Sequence, residues 1–385
     1  MDLTTFQWLL TDPGQQLLAV VSAERDTSMQ AGQRHRRTHT AEQVTAAFGI
    51  VELRAKARAK FGDLAEQMYL TRDALEQATR WPVARHRAGR LTAFAPKSVI
   101  DLGCGIGGDL IAMSAAGLTV AGIDTDPLRA AMAAANLAAL GLPGAVQVAD
   151  ATALNLAGFE VAFADPARRG GAGRSFRAED WVPPWEFVEL LLAQTACVKV
   201  APGIPHDLIP DRVEAEWVSD HGQLKEAALW SGPLATVVRR ATVIGDNGLA
   251  TITDEDASVT DVVEVAEFLY EPDDAVIRAG LVGGVAAGVR GGLVDPKIAW
   301  VTSPDLFHTP FATSYRVVEE VPFREKQLRA ALRDRGIGRL TIKKRGVQVT
   351  PEQLRSRLQL RGDNEATLVL TRVAGAGSAF LVERC

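Results

Sequence analysis

Val99-Ile100-Asp101-Leu102-Gly103-Cys104-Gly105-Ile106-Gly107-Gly108-Asp109 decides the fold of this chain. An apolar strand ends in an acid and runs into a glycine-rich turn, and a helix is expected from about Leu110. Glycines in such a turn allow positive φ and let a ligand approach the backbone closely. The helix that follows offers free N–H groups in its first turn. By itself the stretch specifies a nucleotide-like cofactor on an open α/β sheet.

Three later strand ends narrow the choice. A strand from Leu118 to Ile123 ends in Asp124, 23 residues after Asp101. An acid at that distance suits the end of the second strand, where it grips ribose hydroxyls. The dinucleotide fingerprint G-x-G-x-x-G explains the spacing but not the glycines, which here run D-x-G-x-G-x-G. An acid at the start of the loop repels a pyrophosphate and suits an ammonium group. A third strand, Ala145 to Ala149, ends in Asp150-Ala151, and a fourth, Phe159 to Ala164, ends in Asp165-Pro166-Ala167-Arg168-Arg169. In open α/β sheets the ligand binds at the carboxyl ends of the strands. A Rossmann-like domain of another class, with four acidic strand ends, is the alternative at this point.

DLGCGIGGD (101–109), GIDTDP (122–127), ADAT (149–152) and DPARR (165–169) together resemble the class I S-adenosylmethionine-dependent methyltransferases. The resemblance implies a Rossmann-like, seven-stranded α/β core with S-adenosylmethionine across the strand ends. Gly103, Gly105 and Gly107 would line its methionine and ribose, beside Asp101. Asp124 would bind the ribose hydroxyls, Asp150 the adenine amino group, and the Ala151 N–H the adenine ring. Ala78-Thr79, followed by Val83-Ala84-Arg85-His86-Arg87-Ala88, is similar to the segment before the core of trimethylguanosine synthases and related RNA methyltransferases. That likeness places Thr79 near the cofactor; a helix N-cap is its plainer reading.

Methyl transfer is an in-line displacement, in which the enzyme mainly positions the acceptor. Amino-methyltransferases often carry D-P-P-Y/W or N-P-P-Y/W at the fourth strand. There the acid and a backbone carbonyl hold the acceptor N–H bonds and the aromatic ring stacks on the base. Asp165-Pro166 matches this pattern, whereas Ala167 and Arg168 depart from it. Arg168 offers a planar guanidinium for stacking or phosphate. Trp181 and Trp185 offer aromatic faces, or pack around Pro183-Pro184. For Asp165 the plainer reading is a strand-end acid that caps the next loop. No cysteine stands near the fourth strand in sequence, which disfavours a cysteine-based mechanism at carbon. Cys104 reads as a small filler of the turn.

The 385 residues suffice for two or three domains. Residues 1–90 look helical, with Ala41–Ala78 rich in helix formers; 91–247 alternate strand and helix; and 248–385 form the rest. Strands are expected at Val198–Ala201, then at Glu226–Leu229 and Ala235–Ile244 as an antiparallel edge pair, with a boundary turn at Asp246-Asn247-Gly248. The end of the chain reads β-α-β-α-β-β, an α+β domain with its helices on one face. Leu340–Gly346 and Leu360–Thr367 resemble a THUMP-like domain, covering about 310–385. THUMP domains proper bind RNA, so the resemblance implies RNA by analogy.

Three scattered cysteines without ligand spacing fit a reducing cytosol, and the expected location is cytoplasmic. No basic, apolar leader opens the sequence, no window is apolar enough for a membrane span, and six scattered histidines suggest no metal. The net charge of −5 is unevenly spread. Asp246 to Arg278 holds ten acids and one base, whereas Arg324 to Arg361 holds twelve bases and three acids. Lys343, Lys344 and Arg345 are the candidate RNA contacts within the basic stretch. Pairing of this stretch with the acidic one is the competing account. It would favour a small-molecule or protein acceptor over RNA; a non-catalytic binding module is the third reading.

Overall fold

The structure, a computed structural model, describes residues 1–24, 29–168, 181–256 and 260–385. The chain divides into two compact units, Met1–Val213 with Ala228–Thr236, and Glu214–Ala227 with Val237–Cys385.

The first unit begins with α1 (Leu3–Leu9), α2 (Asp12–Ala23), α3 (Met29–His35), α4 (Ala41–Phe61), α5 (Arg72–Gln77) and α6 (Trp81–Phe94). Local chemistry sets their ends. The Asp2 carboxylate accepts from the Thr5 amide at 2.8 Å, and Thr40 and Gln43 close a capping box. Such caps contribute about 1 kcal/mol each. Helix α4 stops at Gly62, whose φ of +58° few other residues adopt.

The sheet follows as β1 (Val99–Leu102), α7 (Gly108–Ala115), β2 (Val120–Asp124), α8 (Pro127–Ala139), β3 (Ala145–Val148) and β4 (Val161–Ala164). Next come β5 (Ala167–Arg168), β6 (Trp181–Val182), α9 (Trp185–Leu192) and β7 (Ala196–Val200). Five parallel strands run in the order β3-β2-β1-β4-β7. Leu102 stands opposite both Ile123 and Ala164, so Gly103, Asp124 and Asp165 leave the sheet side by side. Every residue of β1 is buried, as expected for a parallel strand covered on both faces. One hydrophobic cluster joins Phe6, Leu9, Ile50, Phe61 and Met68 to Ile111 and Met113 of α7 and Met132 and Leu137 of α8. The N-terminal helices therefore share the core of the sheet.

The second unit contains β8 (Glu214–Asp220), the start of β9 (Gln223–Trp230), β10 (Arg239–Gly245), β11 (Gly248–Thr253) and β12 (Phe268–Pro272). It continues with α10 (Asp274–Ala279), α11 (Val282–Gly288), β13 (Gly292–Asp295), β14 (Ile298–Ser303), β15 (Ala312–Val321), α12 (Glu325–Asp334), β16 (Ile337–Lys344), α13 (Pro351–Leu358), β17 (Asn364–Val373) and β18 (Ala376–Arg384). The first group is ordered β11-β10-β8-β9. Four strands are thus present where a seven-stranded core needs two beyond the five parallel ones.

The expected edge pair needs correction. Strand β8 stands between β9 and β10, and β10 pairs with it in parallel. The antiparallel partner of β10 is β11, so Asp246-Asn247-Gly248 is the connection of a hairpin inside the second unit. Strand β8 escapes sequence patterning because Glu214, Glu216 and Asp220 interrupt its apolar residues, yet all three are buried. Glu214 accepts from Arg240 at 2.7 Å and Glu216 from Thr242 at 2.6 Å.

The other sheet of this unit runs β13-β14-β12-β15-β18-β17-β16. Leu368 and Leu370 pack with Leu328 and Leu332 of α12 and Leu354 and Leu358 of α13. Val369 packs instead with Trp300 and Tyr315, as the two-residue period of a strand requires. The β-α-β-α-β-β order is thus observed over β15–β18, with α12 and α13 in one apolar cluster.

Candidate cofactor and acceptor site

The glycine loop is a shelf with open space beside it. Gly103, Gly105 and Gly107 have φ of +89°, +57° and +84°. A Cβ on Gly103 or Gly105 would meet nothing within 4 Å. On Gly107 it would stand 3.3 Å from the Ala133 Cβ of α8. Gly107, expected to line the cofactor, instead N-caps α7 and lets that helix approach α8.

Buried side chains hold the shelf. Asp124 Oδ2 accepts the Gly105 N–H at 2.9 Å, and its Oδ1 accepts the Asp126 N–H at 2.9 Å. Asn136, fully buried, accepts the Tyr69 N–H at 2.6 Å and donates to the carbonyls of Tyr69 and Ile106 at 3.1 and 2.9 Å. Arg87 pairs with Asp109 in the interior, its guanidinium 4.7 Å from the centre of the Phe163 ring. Removing one member of such a pair costs about 3–5 kcal/mol, because the other charge stays buried.

Asp101 is the exception among these acids. It is 2% exposed, and its Oδ1 has no hydrogen-bond partner among the described residues. Burial pushes its carboxyl well above the ordinary value, aided by Asp109, Asp165 and Asp124 and opposed by Arg87. A buried acceptor left unsatisfied costs about 1–3 kcal/mol. An ammonium group placed here supplies both the missing donor and the missing charge. The shelf and Asp101 therefore fit the amino-acid end of S-adenosylmethionine.

Asp150 is exposed at the end of β3 and caps the turn Ala151–Ala153, accepting from the Thr152 N–H at 2.8 Å and its hydroxyl at 2.7 Å. These bonds hold its carboxyl below the ordinary value. Asp165 and the buried Pro166 follow β4, beside the glycine loop. The Asp165 carboxylate Oδ2 accepts from Lys199 Nζ on β7 at 2.5 Å, and among the described residues it caps no loop. Lys199 also donates to the Thr79 hydroxyl at 3.1 Å. Thr79 is not a helix N-cap; that position belongs to Arg80. Lys199 was missed by the sequence reading, although a lysine between buried Val198 and Val200 is itself a signal.

Arg168 pairs with Trp181 in the short β5–β6 ladder, so the backbone joins the two residues proposed to meet the acceptor. Arg169 lies outside the described residues. Trp185 is a core residue, buried and donating to Glu189 at 3.0 Å. The fourth strand does have a cysteine beside it. Cys197 on β7 stands opposite Phe163, a proximity the linear sequence hides, but it is fully buried inside the strand pair. Burial pushes the Cys104 thiol up, consistent with a filler and not a nucleophile.

Among the described residues, half of the twelve cations in the basic stretch are paired with carboxylates. Lys343 lies 2.9 Å from Glu271 and Arg345 3.8 Å from Asp274, both acids of the 246–278 segment. Arg335 and Arg339 pair with Glu319 and Glu365, each at 2.5 Å. Lys343 and Arg345 are thus ion-paired, contrary to their expected role as free RNA contacts. Lys344 remains exposed, as do Arg324, Lys326 and Arg361, with no carboxylate within 4 Å among the described residues. Among those residues no cluster is arranged to hold a metal ion, and no helix is long and apolar enough to cross a membrane.

An open parallel sheet, a glycine shelf and an acid matched to an ammonium group define a class I methyltransferase fold. Comparisons agree. Two Mycobacterium tuberculosis proteins, from strains CDC 1551 / Oshkosh and ATCC 25618 / H37Rv, are each described as an uncharacterised S-adenosylmethionine-dependent methyltransferase. Each is 38% identical over 338 residues, covering 85% of this chain and 92% of its own length. The crystal structure of a presumed methyltransferase from Porphyromonas gingivalis W83 superposes with a TM-score of 0.76 at 22% identity, over 96% of this chain and 98% of that one. The THUMP domain-like family matches residues 312–384, and a domain of unknown function matches 2–57. The chain belongs to the S-adenosylmethionine-dependent methyltransferases, here with a C-terminal THUMP-like domain, and S-adenosylmethionine is its cofactor.

Proposed function

We propose that the chain methylates a nitrogen of an RNA base by direct transfer. The observation that carries this reading is the position of Asp165-Pro166, which leaves β4 next to the open glycine shelf. S-adenosylmethionine supplies an electrophilic methyl group. Asp101 holds its ammonium group, and Gly103 and Gly105 make room for its body. Asp124, already bonded to the loop, faces the ribose hydroxyls, and Asp150 and Ala151 meet the adenine. Thr79 borders the same site through Lys199.

Asp165 and the Pro166 carbonyl accept the N–H bonds of the acceptor and aim its lone pair. Such positioning removes much of the barrier without a covalent intermediate. Arg168 and Trp181 are the candidates to flank the base. RNA is favoured by the THUMP-like match and by exposed Arg324, Lys326, Lys344 and Arg361. The pairing of Lys343 and Arg345 favours the second reading, a small-molecule or protein acceptor.

Tritiated methyl transfer to fractionated total RNA decides between them, with Asp165→Ala alongside. The expected result is labelled RNA, with a rate at least about 100-fold lower in the variant. Undiminished label in Asp165→Ala refutes the role of Asp165. Label found only in small molecules or protein refutes RNA as acceptor.

A further inference from the structure

We infer that Lys199 is the positioning residue that fixes the acceptor carboxylate, a role that rests on the reading of Asp165 above. Val198 stands opposite Ala164, so Lys199 and Asp165 are the next residues outward on adjacent strands. The neighbours of Lys199 along β7, Cys197, Val198 and Val200, are buried. An ammonium group in such surroundings is costly unless oxygens receive it. Asp165 Oδ2 receives it at 2.5 Å and Thr79 Oγ1 at 3.1 Å.

Thr79 is itself held from behind. Lys60 Nζ donates to the carbonyls of Leu75, Glu76 and Ala78 at 2.6, 2.7 and 2.9 Å, closing the end of α5 just before Thr79. The cluster therefore joins the N-terminal helices to the end of β4 through side chains whose positions are fixed at both ends. With Oδ2 engaged by Lys199, the carboxylate cannot turn freely, and Oδ1 is the oxygen left to accept a substrate N–H. The ammonium group also sets the charge of the acceptor. It disfavours a protonated alkylamine and tolerates the neutral exocyclic amine of a nucleobase.

The test compares full-length Lys199→Met, Lys199→Arg, Asp165→Asn and the double variant Lys199→Met/Asp165→Asn. S-adenosylmethionine affinity is measured by calorimetry. Methyl transfer is measured to total RNA and, separately, to the protein and small-molecule fractions of a cell extract; whichever accepts label serves. Expected is a cofactor Kd within about threefold in all four variants. In Lys199→Met, kcat falls at least about 30-fold while KM moves less than about threefold, and Lys199→Arg recovers to within about fivefold. The double variant is no more than about twofold slower than Asp165→Asn, because the two residues act as one unit.

Losses that multiply in the double variant, or wild-type kcat in Lys199→Met, overturn the inference. Full activity in Asp165→Asn overturns the acceptor reading as well, and so separates the two failures. A crystal structure of Lys199→Met decides without any acceptor: a reoriented Asp165 carboxylate supports the inference, and one in its original orientation overturns it.

Discussion

Two charged regions of this molecule look alike in composition and differ in structure. In the first unit, Asp109 in the first turn of α7 joins Asp101, Asp124, Asp150 and Asp165 of the strand ends around a loop of glycines. Four of them are engaged, by Arg87, by backbone amides, by Thr152 or by Lys199, and of these five acids only Asp101 keeps a buried oxygen unpartnered among the described residues. In the second unit the basic stretch stands out in the sequence, but half of its twelve cations face acids of the same unit among the described residues. The contrast teaches that a ligand site is marked by a buried polar group the fold leaves without a partner. Charge density alone marks only where neutralisation is needed.

The comparison breaks most visibly at the shelf. Gly105→Val places a β-branched side chain at φ +57° in the space left for the ligand, so calorimetry should detect no S-adenosylmethionine binding. Retained affinity contradicts the cofactor assignment. Arg87→Met leaves Asp109 buried without its partner and should lower unfolding stability by about 3–5 kcal/mol in denaturant titrations. A loss under about 1 kcal/mol means that Asp109 finds water in the native state.

Asp101→Asn sharpens the contrast. It should weaken S-adenosylmethionine about 10- to 100-fold, the value of one charge-assisted hydrogen bond. Yet it should stabilise the cofactor-free protein at neutral pH. The folded-state carboxyl lies above its unfolded value, so the folded chain keeps a proton that the unfolded chain has released. Stability from this group therefore falls as pH rises from the ordinary carboxylate range through the shifted value. Thermal melts over about pH 4 to 8 should show a shallower decline in Asp101→Asn than in wild type; parallel profiles refute the shift. The smallest effect belongs to the paired cations. Lys343→Ala should change RNA affinity less than about twofold, whereas Lys344→Ala/Arg361→Ala should lower the salt dependence by about two ions. Filter binding at several salt concentrations separates the two outcomes.

How much of this was legible in the sequence depended on whether local pattern or distant contact made the feature. The ends of β1, β2 and β4 were readable because buried parallel strands are apolar runs with an acid at or near the end, whereas β3 is an exposed strand marked mainly by the Asp150 that follows it. Strand β8 was not readable, since Glu214 and Glu216 become acceptable in a core through partners far along the chain, among them Arg240 and Thr242, each 26 residues later. Lys199 was invisible as a site residue because its meaning comes from Asp165, 34 residues earlier, and Thr79, 120 earlier. Cys197 beside β4 and the pairing of Lys343 with Glu271 were hidden in the same way.

Asn136 carries a consequence for modularity. Two of its three hydrogen bonds reach Tyr69, before the sheet begins, and the third reaches Ile106 within the glycine loop. A chain trimmed to begin at β1 would keep the glycine loop and the strand-end acids but lose Thr79. It would also strip the amide anchor from behind the loop and uncover Met113 and Leu137. The helical cover and the sheet thus form one heritable piece, and a graft of the cofactor shelf onto another scaffold must carry the first hundred residues with it.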